Sequence, residues 1–195
     1  LIKNIKNVKG IFLTHGHEDH IGGLPYFLKE INVPVYGTKL TLGLVEHKLK
    51  EHNLLSSVKL VRTRPGQVVE GGKYFTVEFI TTNHSIADSV ALAIKTPVGT
   101  VVHMGDWKID STPIVGDVID LARLGELGKE GVLALMSDST NVERPGYAMS
   151  EKSVGQKFES IFKNCNKRII VATFASNVHR VQQIIDAAAK NRRKV

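Results

Sequence analysis

Leu13-Thr14-His15-Gly16-His17-Glu18-Asp19-His20-Ile21-Gly22-Gly23-Leu24-Pro25-Tyr26 decides how this chain is to be read. Four potential metal ligands, His15, His17, Asp19 and His20, fall within six residues. They follow a short apolar run, Gly10 to Thr14, that has strand character. In an extended segment, residues two apart point the same way, so His15 and His17 can converge on one ion. Gly16 between them lets the backbone turn. Asp19 and His20 then open the following helix, where they can face a neighbouring ion. Imidazole with carboxylate suits zinc, and also manganese or iron.

Two further segments end strand-like runs in the same manner. Thr82-Asn83-His84-Ser85 closes the run Phe75–Ile80, which places His84 at the same rim. Met104-Gly105-Asp106 closes Val101–Met104. A carboxylate such as Asp106 can bridge two cations held about 3.5–4 Å apart. Alone, His84 or Asp106 would be an ordinary loop residue; the repetition of strand end followed by ligand gives them weight.

Around these motifs, periodicity predicts a helix over Ile21–Ile31, a strand at Val33–Tyr36 and a helix over Thr38–His52. Strands are predicted at Val68-Val69, Phe75–Ile80, Val90–Ile94, Val101–Met104 and Val132–Met136, with Gly71-Gly72 and Pro97-Val98-Gly99 as turns. Past Pro145-Gly146 the texture changes. Ser150 is placed to cap a helix Glu151–Asn164, followed by a strand Ile169–Phe174 and a helix Val178–Lys190. That order predicts the start of a second α/β unit, with the boundary near residue 148.

Composition fits a soluble globular protein: 195 residues, 42% hydrophobic and 23% charged. No apolar run approaches the ~20 residues that span a bilayer. The single Cys165 cannot form an internal disulfide, which suits a reducing cytoplasm. The chain opens Leu1-Ile2-Lys3, which we read as a fragment. Net charge is +7, and residues 151–195 carry ten Lys/Arg against three Asp/Glu, while residues 1–150 balance to zero. Such a basic block attracts polyanions, nucleic acid foremost, although a solvated helical face with a basic tail has the same composition.

Taken together, the motifs resemble the ribonuclease J family of metallo-β-lactamase-fold hydrolases. The resemblance lies in the first motif with its flanks, in His84-Ser85-Ile86-Ala87-Asp88-Ser89 and in Gly105-Asp106-Trp107-Lys108-Ile109-Asp110. It continues in Ser137-Asp138-Ser139-Thr140-Asn141 and Ala172-Thr173-Phe174-Ala175-Ser176-Asn177-Val178-His179-Arg180. It implies an α/β fold: a metallo-β-lactamase αββα sandwich over residues 1–148, lacking its first strands, then the start of a β-CASP domain over 149–195. It implies that His15, His17 and His84 hold one divalent ion, that Asp19 and His20 hold a second, and that Asp106 bridges. Zinc is the expected metal, with manganese as the alternative. Asp19, Asp106 and Asp138 become the catalytic carboxylates, Asp138 orienting a ligand or water. Ser176, Asn177, His179 and Arg180 become RNA contacts.

The implied activity is metal-dependent hydrolysis of RNA phosphodiester bonds, as 5′–3′ exonuclease, endonuclease or both, in RNA maturation (rRNA processing included) and decay in the cytoplasm. RNA is the implied partner, with a second copy or a paralogue in the whole protein. The family's remaining second-site His and its 5′-phosphate segment fall outside these residues, so the fragment alone is expected to be inactive. Two other functions share parts of the pattern: a hydrolase of a small thioester or lactam on the same fold, and a non-catalytic RNA-binding or assembly subunit. His47 and His52 read as solvated, His103 as packed, Trp107 as a wall of the site, and Cys165 as structural.

Overall fold

The computed structural model describes residues 6–195, and the reading of the chain's opening residues lies outside them. Period-two segments form two sheets. The first joins β1 (Ile11–Phe12), β2 (Val35–Gly37) and β3 (Leu60–Arg62) in parallel. The second has β4 (Val68–Glu70), β5 (Thr76–Thr81), β6 (Val90–Thr96) and β7 (Gly99–His103) as an antiparallel meander, with β8 (Ala134–Met136) parallel to β7.

Side-chain alternation along the strands builds four layers. Leu13 and Val35 face away from the second sheet, toward helices α2 (Leu24–Glu30) and α3 (Lys39–Glu51), and pack with Leu28, Leu42, Val45 and Leu49. Phe12 and Tyr36 point the other way, stack with centroids 4.5 Å apart, and meet Val77, Phe79, Val90 and Leu92 between the sheets. Ile80, Ala91, Ala93 and Val102 occupy the far face of the second sheet and pack against Leu124 and Leu127 of α4 (Leu121–Glu130). Both parities of the inner strands are apolar, as sheets covered on both faces require, and the order helix, sheet, sheet, helix follows. Arg123 of α4 ties that helix to β5 through a two-pronged pair with Glu78, at 2.7 and 3.0 Å.

The remaining helices are α1 (Glu18–Ile21), α5 (Glu151–Asn164) and α6 (Val178–Lys190). Ser150 caps α5 and Asn177 caps α6. The two helices share a small core of Phe158, Phe162, Ile184, Ala187 and Ala188, with Ile169 and Val171 against it.

Two expectations are corrected, and two elements had no counterpart in the sequence reading. The predicted helix Ile21–Ile31 is two helices, because the chain breaks at Gly22-Gly23, weak helix formers, and Pro25 fits only in the first turn of the helix that follows. The segment Ile169–Phe174 has no regular secondary structure and pairs with no strand among the described residues, so it forms no sheet. Its alternating pattern arises from Ile169 and Val171 resting on α5 and α6. Strand β3 was not anticipated, being only three residues long between charged neighbours. Nor was α4, whose leucines at 121, 124 and 127 are interrupted by Gly125 and Gly128.

Candidate metal centre

The ligand candidates stand at strand ends along one rim. His15 follows β1, His84 follows β5 and Asp106 follows β7, while Asp19 and His20 lie in the first turn of α1. The backbone N–H of Val90 donates to the carbonyl of Thr14 at 2.9 Å, which joins the two sheets beside the site. The backbone N–H of Lys108 donates to the carbonyl of Asn83 at 2.8 Å and fixes the loop bearing Asp106 against the loop bearing His84.

Orientation is set by neighbours. Thr14 Oγ1 lies 3.1 Å from His15 Nδ1, leaving Nε2 free to face the cluster. Gly105 sits at φ +62°, and a Cβ there would meet Thr14 at 2.8 Å, so only glycine allows Thr14 and Asp106 to approach so closely. Gly16 packs closely on α3: a Cβ would reach the Leu44 methyl at 2.6 Å and displace that side chain. His84 Nε2 lies 3.0 Å from His17 Nδ1.

The structure brings His15, His17, His84 and Asp106 together, and separately Asp19, His20 and Asp106, with the ligand atoms in each group within 4.8 Å of one another. Asp106 belongs to both. Its Oδ2 lies 3.8 Å from His15 Nε2 and 3.6 Å from His84 Nε2; its Oδ1 lies 3.4 Å from His20 Nε2. These separations exceed ordinary hydrogen bonds. Two ligands about 2.1 Å from one tetrahedral ion are about 3.4 Å apart, which is near the spacing seen. The buried Nε2 atoms of His15 and His17 have no hydrogen-bond partner. Orphaned buried nitrogens are costly unless something satisfies them. The residues therefore fit a divalent metal.

Electrostatics agrees with that fit. Burial, reinforced by His20, His84 and His17, lowers the His15 pKa to about 2. Burial and His17 lower His84 to about 4. Burial also lowers His17. All three are neutral at pH 7, with a lone pair available for an ion.

Asp138 is exposed on the loop after β8, where the hydroxyl and backbone N–H of Thr140 hold its carboxyl below the usual range. It is close enough to His84 to act on that residue's titration. Trp107 was read only as a wall. Its indole N–H donates to Ser137 Oγ at 3.0 Å and so ties the Asp106 loop to the Asp138 loop. Asn177 is buried and caps α6, and Ser176 lies beside Gly16 and Glu18 in a shallow cleft. His179 lines the same pocket as His84. The Arg180 guanidinium is committed to Glu151, with both contacts at 2.8 Å. Lys108 continues this charge chain to Asp110 at 3.3 Å and Glu151 at 3.7 Å. Sequence reasoning missed Thr14, Asn83, Lys108 and Glu151; adjacency to the ligand motifs was the one signal that could have flagged the first three.

The sequence model of the Metallo-beta-lactamase superfamily matches residues 2–137. The chain belongs to the metallo-β-lactamase superfamily. Residues 166–195 match the model of the ribonuclease J β-CASP domain, so the superfamily sandwich is followed by the start of that second domain. The chain is 49% identical to "Ribonuclease J" of Synechocystis sp. over 196 residues, covering 100% of this chain and 31% of that protein. It is 46% identical to "Ribonuclease J" of Thermus thermophilus over 201 residues, covering 100% of this chain and 35% of that protein. The chain thus spans about a third of the length of these relatives. A solved structure from Enterococcus faecalis V583, described as a protein of unknown function, superimposes with TM-score 0.63 at 20% identity, over 91% of this chain and 44% of that one. That likeness bears on the superfamily fold alone. Divalent metal binding is a property that membership of the superfamily implies.

Proposed function

We propose that this chain is the metal-bearing part of a ribonuclease that hydrolyses RNA phosphodiester bonds with two divalent ions, zinc by preference. The observation that carries the reading is Asp106, whose two oxygens face two separate ligand groups. Relatives named ribonuclease J over the whole chain supply the substrate class. His15, His17 and His84 with Asp106 would hold one ion, and Asp19 and His20 with Asp106 the other. Divalent cations held there supply Lewis acidity toward water and toward a phosphodiester oxygen.

The chain's own residues do the positioning. Thr14 fixes the His15 ring, and burial keeps His15, His17 and His84 from taking up protons that would compete for their lone pairs. Asp138 remains ionised and is an acceptor able to orient water or a ligand beside His84. We put the domain boundary near residue 148, a reading that the start of α5 at Glu151 supports. We place the protein in the cytoplasm; no helix among the described residues is long and apolar enough to cross a membrane.

The test uses the full-length protein. It should cleave 5′-monophosphorylated RNA, lose that activity with EDTA, and leave a panel of lactams and thioesters intact. Turnover of a lactam or thioester with RNA untouched would transfer the site to a small-molecule hydrolase. RNA binding without any cleavage would make it a binding subunit. The isolated 195 residues are expected to be inactive in the same assay.

A further inference from the structure

The net charge of residues 1–150 is zero, yet that balance hides a local excess of cations on the metal rim. Beside the loop His84–Ser89 opens a cleft of about 630 Å³, lined by Thr38, Lys39, Arg62, Thr63, Arg64 and Gln67, with Pro65 and Asp88 completing its wall. Lys39, Arg62 and Arg64 are exposed, and none has a carboxylate within 4.0 Å among the described residues. Most other cations near the site are spent: Lys48 on Glu18, Lys108 on Asp110, Arg180 on Glu151.

One carboxylate lines the cleft, and it is turned to another purpose. Asp88 Oδ2 accepts from the backbone N–H of Leu40 at 3.0 Å, and its carbonyl accepts from Thr38 Oγ1 at 2.8 Å, so it closes the start of α3. One N–H of the helix's first turn is thus taken, and the cleft's unpaired positive charge lies on the side chains of Lys39, Arg62 and Arg64. Thr63 lies between the two arginines in sequence and is 3% exposed, and its hydroxyl has no hydrogen-bond partner. Pro65 and Asp88 are also walls of the neighbouring pocket that contains His84, so the cleft is contiguous with the metal rim.

We propose that Lys39, Arg62 and Arg64 form a phosphate-binding subsite at the edge of the metal centre, separate from the basic segment 151–195. Guanidinium groups present paired donors that match phosphate oxygens. With the ribonuclease reading, on which the identity of the ligand rests, the occupant is a backbone phosphate of single-stranded RNA. A free phosphate ion would use the same chemistry.

The experiment compares the full-length wild type, the double variant Arg62→Gln/Arg64→Gln, and a control, Lys73→Gln, on an exposed turn away from the rim. Binding of a fluorescent 20-nucleotide oligoribonucleotide is measured in EDTA across a salt series, and inorganic phosphate binding is followed by calorimetry. Circular dichroism and thermal midpoints confirm that the variants fold. Each lost single-strand contact flattens the salt dependence by about 0.7, so the double variant should lose about 1.4 in slope and about twentyfold in affinity at 0.1 M salt. Lys73→Gln should match wild type. Loss of inorganic phosphate binding with RNA affinity kept would assign the subsite to a free phosphate. Equal binding of both ligands by wild type and double variant would overturn the proposal. A wild type that binds phosphate through these arginines but no RNA would refute the ribonuclease reading and leave the subsite standing.

Discussion

The sandwich and the α5–α6 segment present opposite relations between charge and packing. The sandwich carries no net charge but has three apolar layers, orphaned histidine nitrogens and unpaired cations along one rim. The α5–α6 segment carries the whole formal excess but has one small core, with Ile170 88% and Phe174 83% exposed. Two of its ten cations are ion-paired, Arg180 with Glu151 and Lys190 with Glu159. The comparison teaches that summed charge locates neither a site nor a binding surface. What matters is which charges the fold leaves without a partner and which buried polar atoms it leaves unsatisfied.

The largest effect that would break the comparison is on turnover. Asp106→Ala in the full-length protein should reduce single-turnover RNA cleavage by on the order of 10⁴-fold while RNA still binds, because both ligand groups lose their shared carboxylate. Comparable cleavage by the variant would mean that the rim is not the reaction centre.

A second contrast concerns pH. His15, His17 and His84 have folded pKa values below the ordinary 6.5, so above pH 6.5 they cost the fold nothing. Below that value the unfolded chain binds protons that the folded site refuses, and stability falls as pH drops toward the His84 value of about 4. The urea midpoint of metal-free protein should therefore decline between pH 6.5 and pH 4. His84→Asn should flatten that decline, and an unchanged profile would count against a desolvated cluster.

Packing gives a third, smaller contrast. Phe79 is fully buried between the sheets, so Phe79→Ala should cost about 3–5 kcal/mol in urea unfolding. Phe174→Ala on the exposed segment should stay within about 0.5 kcal/mol in this chain. Equal costs would remove the distinction between the two regions. Smaller than the Phe79 effect, Trp107→Phe keeps a ring against the cluster that includes Met104 and Leu127 but loses the donor to Ser137. Cleavage should fall roughly tenfold with metal content unchanged, as for loss of a residue supporting a ligand loop.

The ligand cluster was legible because its successive members sit one or two residues apart, where local backbone geometry alone brings them near one another. His84 and Asp106 were legible through a shared context, each following a strand. The contacts that hold them were not. Asn83 against Lys108 and Trp107 against Ser137 link residues whose proximity depends on how loops from different strands meet, and Thr14 touches its neighbour His15 only in the side-chain orientation that the fold selects. In the fold, the apolar runs of β5 and β6, which pack on both faces of their sheet, were readable. Helix α4 was hidden because Gly125 and Gly128 weaken its local preference, and the Arg123–Glu78 pair that anchors it spans 45 residues. Segment Ile169–Phe174 shows the reverse error: alternation signals a packed face, not a hydrogen-bonded neighbour.

The most direct test of the account is metal content by mass spectrometry in the full-length protein after dialysis, for wild type, His15→Ala/His17→Ala and Asp19→Ala. The account predicts two equivalents of zinc or manganese in wild type. Asp19→Ala should hold about one, and the double histidine variant should have lost the tighter ion. Equal metal content in wild type and the double histidine variant would contradict a centre built on His15, His17, His84 and Asp106.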